Sequence, residues 1–202
     1  MVRTRGQQKA AEETVDAKKE APLGLYKSMQ AAHPIKTDAS VAALLSYASV
    51  VVSERMTSQA AEVGAALAMA IVAASFITPV LSHYYGWLGK QPWNKLGSLA
   101  FDQLIFSPVF TFLLLTYRLL VLTTLQKWAS GSLSLAVLHG RLGSAPQEVL
   151  PILPDVVRSS WFFWVPCRFI MLNYVPPMYH IVAGNVASFV WNVLLAMLLK
   201  QG

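Results

Sequence analysis

Apolar residues are grouped along the chain into long stretches, which short polar or proline-containing connections separate. The last stretch, Met178 to Leu199, is long enough to cross the hydrocarbon core of a bilayer, which needs about 20 apolar residues. Within lipid it has to be helical, because only a helix satisfies every backbone N–H and C=O group inside one segment. Pro176 and Pro177 precede it, and proline suits the first turn of a helix. The pattern predicts a transmembrane helix here.

Three earlier stretches have the same character: Val41–Val52, Ala60–Leu81 and Leu99–Leu125. The first is short for a span unless its polar flanks extend it, and the third is longer than the hydrocarbon needs, so it is expected to tilt, protrude or kink at Pro108. With the last stretch they predict an all-α fold, an integral membrane four-helix bundle. The shorter apolar half that starts near Ser159 either completes the fourth helix or lies near the interface.

Two polar regions complete the predicted organisation. Residues 1–24 form a polar, basic N-terminal tail, and residues 25–202 form the membrane domain. The tail lacks the apolar core of a secretory signal, and its acidic residues argue against a conventional mitochondrial presequence. Between the third and fourth helices, part of residues 132–153 is expected to form an interfacial amphipathic helix.

Composition and charge support the membrane assignment. Of 202 residues, 55% are hydrophobic and only 13% are charged, whereas about a quarter are charged in a typical soluble domain. The net charge of +6 comes from basic residues in the tail and at segment ends, which indicates membrane orientation rather than nucleic-acid binding. Four spans place the tail, the Gly86–Asn94 connection and Lys200 together on the matrix or cytosolic side.

Sequence motifs of enzymes are missing. The chain has no phosphate-binding glycine loop, no His-Glu-x-x-His and no Gly-x-Ser-x-Gly motif. Cys167 is the single cysteine, which excludes an internal disulfide and a cysteine-only metal site. We therefore expect a protein that is not an enzyme, with no cofactor and no metal.

Polar residues inside the apolar stretches are the remaining candidates for function, because they are costly in lipid and face a bundle interior or a water-filled cavity. Asp102 and Arg118 lie too far apart along one helix to pair, whereas Arg168 is able to neutralise an acid across helices. Interhelical polar contacts and a pore lining are both open as roles for these side chains. The candidates are Asp102, Arg168, His180, Ser188 and Asn192.

The same region carries a family resemblance. The chain has the following residues at the spacing of the C-terminal signature of the Mpv-seventeen family, also called the 22-kDa peroxisomal membrane protein family: Trp164, Val175, Pro176, Tyr179, Trp191, Asn192 and Leu195. It departs from that signature at several positions, where a proline is replaced by Val165, a glutamine by Arg168, an Asn-Phe pair by Met171-Leu172, an arginine by His180 and a serine by Ala196.

Members of that family are small four-helix proteins of the mitochondrial inner membrane or the peroxisomal membrane, and are generally regarded as non-selective channels for small solutes. The resemblance implies a channel of the mitochondrial inner membrane, with the peroxisomal membrane as the alternative. The changed polar positions leave a second interpretation open, a structural accessory subunit of a larger inner-membrane assembly such as a respiratory complex or an ATP synthase. The expected partners are the lipid bilayer, further copies of the chain or other membrane subunits, and no nucleic acid.

Overall fold

The computed structural model describes residue 24, residues 26–56 and residues 63–200, and for residue 178 and residues 194–200 it describes the backbone alone. Regular structure in these ranges is helical throughout, so the predicted all-α class is confirmed for them. The main elements are α1 (Pro34–Met56), α2 (Val63–Val72), a π-turn (Ala73–Ile77), α3 (Thr78–Leu88), α4 (Lys95–Phe101), a second π-turn (Asp102–Phe106), α5 (Ser107–Ala129), α6 (Leu135–Val149), α7 (Leu153–Tyr174) and α8 (His180–Lys200).

The chain divides into two units, Met1–Asp38 and Ala39–Gly202. The predicted tail, residues 1–24, lies outside the described residues except for Gly24. In the first unit, residues 26–32 are helical, and the Tyr26 hydroxyl donates a hydrogen bond of 2.7 Å to Asp38.

Among the residues that the structure describes, three helical stretches are long and apolar enough to cross a membrane: Pro34–Met56, Val63–Leu88 and Lys95–Ala129. They contain the predicted stretches Val41–Val52 and Leu99–Leu125 in full and residues 63–81 of the second one, whose first three residues lie outside the described part of the chain. The first has 23 residues and is about 34 Å long at 1.5 Å per residue, so it exceeds the hydrocarbon thickness. Asp38 and Glu54, which bound the apolar pattern, are both buried side chains of this helix. The helix therefore continues through polar positions where the apolar pattern had ended.

The second and third stretches form an antiparallel hairpin. The Tyr84 and Phe106 rings stack with centroids 3.5 Å apart, and farther from the connection the Phe76 and Phe110 rings lie 5.9 Å apart. The connection ends at Asn94, whose side chain accepts a hydrogen bond of 2.7 Å from the Gly97 N–H and caps α4. Aromatic stacking along the hairpin fixes which turns of the two stretches are neighbours.

The segment after α5 returns along the third stretch. In α6, the Arg141 guanidinium donates to the Thr123 hydroxyl of α5 at 3.1 Å and forms an ion pair with Glu148. In α7, the Trp161 indole donates to the carbonyl oxygen of Gln103 at 3.2 Å. The helix predicted within residues 132–153 is thus present as α6, and it packs lengthwise against α5.

The end of α7 lies beside the connection between α3 and α4. The Lys95 ammonium donates to the Asn173 side chain at 3.1 Å, and the His180 ring meets the Tyr85 ring edge-on at 6.1 Å. From this end α8 runs back antiparallel to α7, with the Trp191 ring 5.2 Å from the Phe163 ring. The start of α8 and the Gly86–Asn94 connection therefore share one end of the bundle.

This arrangement differs from the predicted topology. Because α8 leaves that end, its last residue, Lys200, lies at the opposite end of the bundle from the Gly86–Asn94 connection, whereas the predicted topology places both at the same end. The physical reason is α7: with 22 residues it is a full-length helix antiparallel to its neighbours, rather than a short half of the last span.

Cysteine labelling checks this topology. In a Cys167→Ser background, cysteines at Gln91 and Tyr174 are expected to react from the same side of sealed membrane vesicles with an impermeant maleimide. A cysteine at Ser132, beyond the far end of α5, is expected to react only from the other side. Reaction of positions 91 and 174 from opposite sides contradicts the observed order of the helices.

Candidate functional site

The second π-turn turns two consecutive polar residues inward. The Ser107 N–H bonds to the Asp102 carbonyl, five residues back rather than four, and Pro108 follows without an N–H of its own. The wider turn leaves Asp102 and Gln103 at 3% and 6% exposure, while the next two residues, Leu104 and Ile105, face outward. Helix distortion before a proline therefore positions the acid of the site.

Asp102 forms a two-fold ion pair with Arg168 of α7. The Arg168 Nε lies 3.0 Å from Asp102 Oδ2, and Nη2 lies 3.1 Å from Oδ1. This parallel arrangement is the strongest geometry available to an arginine and a carboxylate. Arg168 is only 8% exposed, so both charges are removed from solvent and lipid.

Neighbouring side chains satisfy the rest of the pair. The Gln103 amide donates to Asp102 Oδ2 at 2.7 Å. The Tyr85 ring lies against the guanidinium, with the Arg168 Cζ 4.3 Å from the ring centroid, which is a cation–π contact. The Met171 sulfur lies 4.0 Å from Nη1. Side chains of α3, the π-turn and α7 thus enclose the charges on several sides.

The pair is suited to holding helices together. Bringing two charges into a low-dielectric interior is expensive, and only close geometry with further hydrogen bonds offsets the cost. Both conditions are met, so the carboxylate and the guanidinium satisfy each other and neither is directed at a passing ion. In chemical terms this is an interhelical contact, one of the two roles predicted for these residues.

The three candidates on α8 occupy two places. The His180 Nε2 lies 2.9 Å from the Val175 carbonyl oxygen, and its ring contacts Tyr85, so it borders the ion pair. Asn192 instead donates from its amide to the Ser49 hydroxyl of α1 at 3.1 Å. Ser188 is half-buried between them along the helix.

Three residues of the site were not identified from the sequence. Gln103 is buried only because of the π-turn, and Ser49 belongs to a short apolar stretch in which a serine carries no signal. Nothing in the sequence placed the Tyr85 ring on Arg168. Within the ranges that the structure describes, no three His, Cys, Asp or Glu side chains are grouped so as to hold a metal ion.

Comparison with known proteins gives a consistent set of relatives. The model of the Mpv17 / PMP22 family matches residues 136–196. Peroxisomal membrane protein 2 from Bos taurus is 24% identical over 191 residues, which is 88% of this chain and 89% of that protein. Peroxisomal membrane protein PMP22 from Arabidopsis thaliana is 23% identical over 186 residues, 89% of this chain and 90% of the relative. Protein SYM1 from Yarrowia lipolytica is 23% identical over 133 residues, 64% of this chain and 56% of that protein. No solved structure matches the chain.

A double-mutant cycle tests the ion pair. Asp102→Asn and Arg168→Gln are each expected to lower the free energy of unfolding in detergent by about 3–5 kcal/mol, because each leaves one buried charge unpaired. The double variant is expected to lose much less than the sum of the two.

The matched control is Asp155→Asn, which removes the exposed Asp155–Arg158 contact of 3.7 Å in the same helix α7 and is expected to change stability by less than about 1 kcal/mol. Additive losses in the cycle contradict a direct coupling between Asp102 and Arg168.

Proposed function

Because the chain belongs to the Mpv17 / PMP22 family of membrane proteins, we propose that it forms a passage for small solutes across its membrane and catalyses no reaction of its own. The observation that carries this proposal is the distribution of polar residues. Helices that are apolar enough to span a bilayer bury Ser49, Thr78 and Asp102, whereas Leu104 and Val109 are exposed. An apolar exterior around a polar interior is what a solute passage in lipid requires.

The proposed number of crossings is five, one more than the four-helix bundle predicted from the sequence. They are α1, the two long stretches Val63–Leu88 and Lys95–Ala129, α7 and α8. What supports this count is that α7 lies antiparallel both to α4 and to α8. Its charged residues Asp155 and Arg158 lie in the first turns, and Arg168 is paired.

The accessory-subunit alternative is supported by Arg118. This residue lies within the third stretch, is exposed, and forms no hydrogen bond or ion pair with the residues that the structure describes. A charge facing lipid is costly, so an acidic side chain of a neighbouring membrane protein is a natural partner. The test is to purify the protein in mild detergent and identify what accompanies it. If one membrane protein co-purifies in stoichiometric amount with the wild-type chain and is lost from the Arg118→Leu variant, the accessory-subunit alternative is favoured over a passage formed by this chain or its own oligomer.

The names of two relatives place those proteins in the peroxisomal membrane. They favour the peroxisomal membrane, the alternative location predicted from the sequence, over the mitochondrial inner membrane. Both of these relatives align with nearly nine-tenths of the chain. We therefore propose the peroxisomal membrane as the site of action.

Solute flux is the direct test of the function. Liposomes that contain the purified protein are expected to swell faster in isosmotic erythritol than protein-free liposomes, because the protein provides a polar route. The matched control is the same protein reconstituted after heat denaturation. Equal swelling in all three preparations, across a series of small solutes, contradicts the proposed passage.

Location is tested in cells that express the chain with a fluorescent tag at its C-terminus. Co-localisation with a peroxisomal membrane marker is expected, and a mitochondrial inner-membrane marker on a second channel serves as the comparison. Signal confined to mitochondria overturns the peroxisomal assignment and restores the mitochondrial one, without bearing on solute flux.

A further inference from the structure

One face of α8 carries amide and hydroxyl side chains. Asn185, Ser188 and Asn192 follow one another at spacings of three and four residues, which places them along one side of the helix. Val186 and Val190, on the far side of the same turns, are 50% and 43% exposed. The polar face of α8 is therefore directed into the bundle and its apolar face outward.

This face meets α1 through a hydroxyl. The Asn192 amide donates to the Ser49 hydroxyl at 3.1 Å, and Ser49 has no exposed surface. Ser49 in turn donates to the Ser46 carbonyl at 2.8 Å. Farther round α8, a Cβ added to Gly184 would lie 3.8 Å from the Met171 methyl of α7. Thus the Asn192 side of α8 faces α1, while the Gly184 side faces the helix that carries Arg168.

Asn185 is buried without a hydrogen-bond partner for its amide nitrogen. The residue is 7% exposed, and its Nδ2 contacts no acceptor among the described residues. Two turns separate it from Asn192, so both amides lie on the same face. Leaving a buried donor unpaired costs free energy that a hydrogen bond to water or to a solute oxygen recovers. The vacant donor indicates a place where such an oxygen binds.

We propose that Ser49, Asn185, Ser188 and Asn192, here named the amide seam, bind and pass small uncharged solutes that carry hydroxyl or carbonyl groups. This inference rests on the proposed passage and specifies its route and its substrate class. It assigns the two roles that the sequence left open to different residues. The Asp102–Arg168 pair is the interhelical contact, and the amide seam lines the passage and binds the solute.

The chemistry of the seam selects against ions. Amides and hydroxyls exchange hydrogen bonds with a polyol as water does, but a few neutral dipoles do not replace the full hydration of an ion. Arg168 adds no net positive charge beside the seam, because its guanidinium forms an ion pair with Asp102. Glu54, a buried acid on α1, has a partner of its own. An uncharged solute is therefore the ligand that the seam accommodates at the lowest cost.

The probe is erythritol, and the comparison ion is potassium chloride, both in swelling assays on proteoliposomes that contain the full chain. The wild-type protein is expected to pass erythritol and to exclude the salt. Asn185→Leu and Asn192→Leu are each expected to reduce erythritol flux about five- to tenfold, the equivalent of one lost hydrogen bond. Val186→Leu, on the outward face next to Asn185, is the matched control and is expected to leave flux unchanged.

Thermal unfolding in detergent provides the second measurement. Asn185→Leu removes an unpaired buried donor, so it is expected to keep or raise the Tm while flux falls. A fall in Tm together with the fall in flux assigns Asn185 a structural role and overturns its place in the seam.

The outcomes distinguish this inference from the proposed function. If both Asn→Leu variants pass erythritol as fast as the wild-type protein, the amide seam is not the route, but the proposed passage stands. The same conclusion follows if the wild-type protein passes potassium chloride as fast as erythritol. The absence of any solute flux in the wild-type protein overturns the passage itself.

Discussion

The rest of this structure depends on one ion pair in an apolar environment. A bilayer offers no water to a stray charge, so Asp102 and Arg168 have to meet at the geometry observed, with two contacts of 3.0 and 3.1 Å. Their meeting sets α7 against the start of the third stretch, and the Tyr85 ring on the guanidinium adds α3 to the same point. Because α7 is fixed there, the connection to α8 falls beside the α3–α4 connection, and α8 has to run back through the bundle.

The same constraint separates stability from transport. Opening the ion pair to bind a solute would expose two charges to lipid. On the face of α8 that meets α1, the uncharged amide of Asn185 has a donor without a hydrogen-bond partner among the described residues. The π-turn at Asp102 and the proline after it therefore position the ion pair, and in the proposed passage the neutral amides and hydroxyls bind the solute. In the proposed passage, this division would let the bundle stay closed to ions while uncharged solutes cross it.

Hydrophobic patterning was sufficient to predict the helices but not their order in space. The long apolar stretches and the break at Pro176 can be read directly from the sequence, because lipid demands length and backbone satisfaction. Arg168 was recognised as able to pair across helices, yet the choice of Asp102 depends on the π-turn, which no single residue signals. The course of α7 was misjudged because Asp155, Arg158 and Arg168 interrupt its apolar pattern, and the pairing that makes Arg168 tolerable is visible only in three dimensions. Ser49 was not identified because the sequence does not distinguish a serine that faces lipid from one that accepts a hydrogen bond from an amide on another helix.

The central claim is that solute passes between α1 and α8 while the ion pair stays closed. The measurement that tests it most directly is erythritol flux through a Cys167→Ser protein with Val50→Cys and Val193→Cys, next to Ser49 and Asn192 but outside the amide seam, before and after a short cleavable thiol cross-linker joins the two positions. The account predicts that cross-linking blocks the flux and that cleavage of the linker restores it. Flux that continues unchanged through the cross-linked protein would contradict it.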